Sequence, residues 1–190
     1  MTKFVVLMGA PGAGKGTQAK LLEKATALPQ VSTGDLFRAN LKNQTELGQL
    51  AQSFMDKGEL VPDEVTVAMV QDRLAQEDCA RGAILDGFPR TTAQAEALDD
   101  LLKEFDAQVD VVPYIKVDPD ALIARLLKRA ELEGRADDNE ETITVRMQVY
   151  EKETAPLLDF YRDKGLLVEI NGEQSIEDVQ QDLLQVIQNA

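Results

Sequence analysis

The sequence predicts an α/β fold, a five-stranded parallel sheet flanked by helices, and three observations predict it. Residues 3–8 (KFVVLM) are a continuous apolar run of β-formers, a glycine-rich stretch follows, and Leu21, Leu22, Ala25 and Leu28 then recur at helical spacing. The alternation returns along the chain: Ala83–Leu85 leads into Asp86, Val111–Val117 is rich in β-branched residues, and Leu166–Ile170 is the last apolar run, with helical patterns between. A shorter strand is expected at Gln30–Ser32. No repeat, low-complexity tract or Gly/Ser/Pro linker divides the chain, so residues 1–190 read as one domain. Two stretches break the strand–helix rhythm: 32–61, helical and partly polar, and 130–138 (AELEGRADD), short, charged and containing Gly134. Both read as excursions from the core.

Composition narrows the chemistry. With 190 residues and 44% hydrophobic content the chain can bury a sizeable core. It has no histidine, which removes Ser-His and Cys-His nucleophile pairs and any His-ligated zinc or haem site. The single Cys79 cannot form an intramolecular disulfide or a cysteine cluster, which suits a reducing compartment. The apolar run before Gly9 is too short for a signal peptide or a membrane span, so a soluble, cytoplasmic protein is expected. A net charge of −14 argues against nucleic acid and anionic membranes as partners. The charge is uneven: residues 1–40 hold five basic and two acidic side chains, a balance of +3, leaving −17 for the rest.

Gly9-Ala10-Pro11-Gly12-Ala13-Gly14-Lys15-Gly16-Thr17 lies between the first strand and the first helix. Glycines let successive N–H groups curl around a phosphate, the helix N-terminus adds positive potential, and Lys15 supplies a mobile charge. A plain glycine-rich turn with an incidental lysine is the competing account, and the strand-loop-helix context disfavours it. Gly16 occupies the slot where Ser or Thr usually follows the lysine, which leaves Thr17 as the candidate hydroxyl facing Mg²⁺. Asp86, ending the third strand, is positioned like a carboxylate that holds Mg²⁺ through water, or like a turn or capping aspartate.

Ser32-Thr33-Gly34-Asp35-Leu36-Phe37-Arg38 reads as a helix start capped by Ser32, Thr33 or Asp35. Gly87-Phe88-Pro89-Arg90-Thr91 sets an arginine at the carboxyl edge of the sheet, where open α/β sheets bind ligands. Arg125 and Arg129 share one helix face, with Leu122 and Leu126 as the buried stripe beside them. On their own they read as a solvated face.

The ordered set GAPGAGKGTQ (9–18), STGDLFR (32–38), GELV (58–61), DGFPRT (86–91) and RADDNEETITVR (135–146) resembles the adenylate kinases over essentially the whole chain. The resemblance implies a P-loop NTPase fold with core 1–31, 62–127 and 139–190, an NMP-binding insertion at 32–61 and a short lid at 128–138. It implies ATP with Mg²⁺ on Gly12, Ala13, Gly14, Lys15, Gly16 and Thr17, with Arg129 and the backbone near Gln174 toward the adenine. AMP would meet Thr33, Arg38, Glu59, Leu60, Val61, Gly87, Phe88, Pro89, Arg90 and Gln94, with a cis Phe88–Pro89 bond. Lys15, Arg90, Arg125, Arg129, Arg135 and Arg146 would clamp the phosphates, and Asp137-Asp138 would fit the hinge of the mobile segment. Only Ala130–Gly134 separates Arg129 from Arg135, too few residues for the hairpin or zinc-bearing lid of longer relatives, so no zinc is expected.

Phosphoryl transfer between phosphates suits a histidine-free chain. An AMP oxygen is already anionic, so positioned charge replaces a general base. ATP, AMP and ADP as partners and a monomeric state complete what the resemblance implies. UMP/CMP kinases share the loop and DGFPR but typically carry alanine at the position of Thr33 and asparagine at that of Thr91; both positions, with Gln94, favour AMP. A GTPase-like switch is the alternative of another class, and the guanine-reading N-K-x-D is absent.

Overall fold

The computed structural model describes residues 2–133 and 139–190. Five strands form one parallel sheet: β1 (Lys3–Leu7), β2 (Gln30–Ser32), β3 (Gly82–Asp86), β4 (Val109–Lys116) and β5 (Leu167–Asn171), in the order β2-β3-β1-β4-β5. The helices among the described residues are α1 (Lys15–Thr26), α2 (Thr33–Lys42), α3 (Glu46–Met55), α4 (Asp63–Leu74), α5 (Thr92–Glu104), α6 (Pro119–Glu133), α7 (Glu140–Val149), α8 (Pro156–Asp163) and α9 (Ile176–Asn189). A π-helical turn, Tyr150–Thr154, joins α7 to α8.

Side chains of β1 alternate between two cores. Phe4, Val6 and Met8 pack with Leu98, Leu102, Leu157 and Tyr161 on one face. Val5 and Leu7 pack with Leu22, Leu183 and Ile187 on the other, so the central strand is apolar throughout. A third, small cluster of Phe37, Ala51, Val61 and Met69 holds α2 and α3 against α4.

The β1–β4 register shifts between Phe4 and Val5, and the Asp110 carboxylate accepts from the Phe4 N–H at 2.7 Å. A side chain thus satisfies a ladder group that the irregularity would otherwise strand.

Register also sets where the site forms. Leu7 pairs with Asp86 and Ser32 pairs with Asp86, so the carboxyl ends of β1, β2 and β3 finish in one row. The segments leaving them, the loops at Gly9 and Gly87 and the start of α2 at Thr33, therefore lie side by side.

The first helix spans Lys15–Thr26, because Gly14 caps it in the left-handed region and Ala27 ends it with its N–H on the Glu23 carbonyl; Leu28, the last of the apolar residues at helical spacing, lies past its end. Residues 130–133, the start of the 130–138 stretch, continue α6; Ala-Glu-Leu-Glu are strong helix formers that extend the preceding turns.

Candidate active site

The glycine loop wraps over the carboxyl end of β1. Gly12 has φ +87°, and a Cβ there would come within 2.8 Å of the Leu122 carbonyl oxygen, so only glycine lets the loop lie against α6. Lys15 donates to the Gly9 and Ala10 carbonyls at 2.6 and 3.1 Å. Burial pulls its ammonium down to about 8; Arg90, Arg146 and Arg129 push the same way while Asp86 opposes. A Cβ at Gly16 would sit 3.6 Å from Asp86 Oδ2, which places that carboxylate directly beneath the start of α1. Asp86 is nearly buried and accepts from Gln30 Nε2 at 3.1 Å.

Across the row, Ser32 is the cap of α2, accepting from the Asp35 N–H at 3.3 Å, which frees Thr33 to donate to the Gly87 carbonyl at 2.9 Å. Arg90 Nε donates to that same carbonyl at 2.9 Å. Gly87 has φ +77°, and a Cβ would meet Arg90 Nη2 at 2.9 Å and Thr33 Oγ1 at 3.0 Å. The Phe88–Pro89 bond is cis, as expected. Burial lowers Arg90 to about 10, Arg146 and Arg38 adding to the effect and Asp86 resisting it. Burial and neighbouring arginines lower both cations in one place, which makes it a candidate functional site.

One cleft of about 680 Å³ joins these parts. Of the sequence-derived candidates, Gly12, Ala13, Gly14, Lys15, Gly16, Thr17, Thr33, Arg38, Glu59, Leu60, Val61, Asp86, Gly87, Arg90, Gln94, Arg125, Arg129, Arg146 and Gln174 all line it. Phe88 is buried in the core beneath, and Pro89 borders a smaller adjoining cavity. Arg135, with Asp137 and Asp138 of the expected hinge, lies outside the described residues. Arg125 Nη2 donates to the Gly172 carbonyl at 3.0 Å, tying α6 to the loop after β5. Gln174 donates to the Asn171 carbonyl and to Asp182, so its side chain is engaged along the rim.

Three residues escaped the sequence reading. Thr154 is buried in the π-helical turn and donates to the Arg90 carbonyl at 2.8 Å. Asp63 accepts from Gln94 Nε2 at 2.7 Å and from Thr91 Oγ1 at 3.0 Å. Lys128 adds another cation to the cleft wall. Asp63 looks in sequence like an ordinary first-turn acid, and Thr154 carries no local signal; only chain separation collapsed by folding reveals them.

The adenylate kinase family model matches residues 7–166. The chain belongs to the adenylate kinase family. Proteins named adenylate kinase from Thermobifida fusca, Bacillus subtilis and Leptospira biflexa are 54%, 48% and 49% identical to it. These alignments cover 93%, 94% and 97% of this chain and 94%, 95% and 100% of the respective relatives. As an adenylate kinase family member its sheet and helices are those of the P-loop α/β class expected from the sequence.

Proposed function

We propose that this protein catalyses reversible, Mg²⁺-dependent transfer of a phosphoryl group from ATP to AMP, giving two ADP. The observation that carries the reading is the single cleft uniting Lys15 and its loop with Thr33, Arg90 and Gln94, in a chain whose relatives are named adenylate kinase. The UMP/CMP alternative gains no support, since Thr33, Thr91 and Gln94 all remain in the adenine-favouring pattern and the relatives' names agree.

An AMP phosphate oxygen attacks the γ-phosphorus of ATP; the bond from that phosphorus to the β,γ-bridging oxygen breaks, and its electron pair leaves on ADP. No proton need be removed from the nucleophile. Loop amides and Lys15 cradle the ATP phosphates, with phosphate oxygens taking over the bonds Lys15 makes to Gly9 and Ala10. Thr33, Arg38, the 59–61 backbone and Arg90 hold AMP, and Gln94 meets its base. Arg125, Arg129, Arg135 and Arg146 spread over the transferring group, where planar forks match its equatorial oxygens. Arg129 and the Gln174 region face the ATP adenine.

Asp86 and Thr17 offer hard oxygen donors beside the loop, which fits a small divalent cation that takes its other ligands from phosphate and water. Held there by Asp86 and Thr17, Mg²⁺ would neutralise part of the phosphate charge. The short lid at 128–138 and the insertion at 32–61 would fold over the nucleotides and exclude water. A cytoplasmic monomer without nucleic-acid or membrane partners completes the proposal; no described helix is long and apolar enough to cross a membrane.

The test is ADP formation from ATP plus AMP, with Mg²⁺ omitted and restored, and with UMP and CMP in place of AMP. Metal-dependent ADP formation, fastest with AMP, is expected. Faster turnover with a pyrimidine nucleotide, or slow ATP hydrolysis without transfer, would overturn it.

A further inference from the structure

The buried Gln94 side chain is held at both ends of its amide. Oε1 accepts from the Arg90 backbone N–H at 2.7 Å, and Nε2 donates to Asp63 Oδ1 at 2.7 Å. The second Asp63 oxygen accepts from Thr91 Oγ1 at 3.0 Å, while the same hydroxyl accepts from the Gln94 backbone N–H at 3.1 Å. Every donor and acceptor in this ring is therefore directional.

A carboxylate only accepts and a backbone N–H only donates, so one orientation of the amide satisfies both. Turned over, the amide would set oxygen against carboxylate and NH₂ against N–H, losing two hydrogen bonds and gaining two repulsions. What remains free on Gln94 is one N–H and one oxygen lone pair, at fixed places.

That matters for a purine. Adenine presents an N6 amino donor beside the N1 acceptor; hypoxanthine and guanine present the O6 acceptor beside an N1–H donor. The two edges ask for opposite amide orientations. A glutamine free to turn reads either one, and a locked glutamine reads one alone.

Resting on the reading of Gln94 as the contact to the AMP base, we propose that Asp63 is the positioning residue that sets base choice at the monophosphate site. By holding the Gln94 amide in one sense it selects a 6-aminopurine over a 6-oxopurine. Asp63 lies 31 residues from Gln94 and opens α4, where the chain returns from the 32–61 segment, so base choice is anchored from outside the DGFPRT motif.

Asp63→Asn tests this, because an asparagine can turn to accept from or donate to Gln94 and so removes the carboxylate's share of the lock, leaving only the Arg90 N–H to favour one orientation. The measurement is kcat and KM for AMP and for IMP, with saturating ATP and Mg²⁺, alongside thermal melting. The expected result is a rise of about tenfold in the IMP-to-AMP ratio of kcat/KM, roughly the value of one net hydrogen bond, carried by KM. kcat with AMP should stay within about twofold, since AMP is read by the orientation of Gln94 that keeps its bond to the Arg90 N–H. A folded variant with an unchanged ratio, or with kcat lowered equally on both nucleotides, overturns the proposal. If the variant does not fold, NMR of the wild-type Gln94 side-chain amide decides: one proton protected from solvent exchange supports the lock, and two freely exchanging protons overturn it. Wild-type protein inert toward ATP plus AMP would instead overturn the proposed function, so the two failures are distinct.

Discussion

Lys15 is the residue at which folding and chemistry oppose each other. Its ammonium is drawn down to about 8 by burial among arginines, against an ordinary value of 10.5. Below pH 8 the folded and unfolded chains both carry the charge, and the full cost of burying it is present; between 8 and 10.5 the folded chain sheds the proton first and the cost fades. Lys15→Met should therefore raise the denaturation midpoint at pH 7, with the gain shrinking by pH 10. The same substitution should cut kcat by a factor on the order of 10² to 10³, as removal of a preorganised electrostatic group does. A variant with lowered stability at pH 7, or near-normal turnover, would contradict this account. Tripolyphosphate binding should restore the full charge on Lys15, so calorimetry in buffers of different ionisation enthalpy should show proton uptake above pH 8 and little below pH 7. Proton-independent binding at both pH values would sink the assignment of Lys15 to phosphate.

Elements bring these residues to one place, and their ends do the positioning. Ser32 capping α2 is a local, exchangeable device: Ser32→Ala should lower stability by about 1 kcal/mol in urea titration. The π-helical turn is different, because it delivers Thr154 to the Arg90 carbonyl 64 residues away. With Gln94 on the Arg90 N–H and Gly87 under its guanidinium, the arginine is gripped at backbone and side chain alike. Thr154→Val keeps the shape and removes the donor, leaving a buried carbonyl unpaired. The expected outcome is kcat lowered about tenfold with little change in KM for ATP, the signature of a slightly misplaced transition-state contact. Unchanged kcat in a folded variant would show that Arg90 is held well enough without it.

Across the whole molecule, charge is segregated. The chain carries −14, yet among the described residues the cleft is lined by eight basic side chains (Lys15, Lys20, Arg38, Arg90, Arg125, Lys128, Arg129 and Arg146) and three acidic ones (Asp35, Glu59 and Asp86). A cationic cavity in an anionic body focuses field on small polyanions while repelling large ones. Raising salt from about 0.05 to 0.5 M, which shortens the screening length from over 10 Å to a few Å, should raise KM for both nucleotides several-fold. KM values indifferent to salt would mean that contact geometry, not the field, governs binding.

Strand runs, the glycine loop and the order of motifs were legible in sequence because each is a local pattern: apolar runs bury on both faces of a parallel sheet, and glycine spacing dictates a phosphate-type turn. The candidate arginines were legible as motif members, and the cleft that gathers the described ones is a product of register, since Leu7, Ser32 and Asp86 must finish level for the segments leaving them to meet. The roles of Asp63 and Thr154 and the displaced acidity of Lys15 belong to the tertiary structure alone. Hydrogen bonds across 31 and 64 residues, and desolvation by neighbours distant in the chain, depend on which groups packing brings together, and no local pattern encodes that.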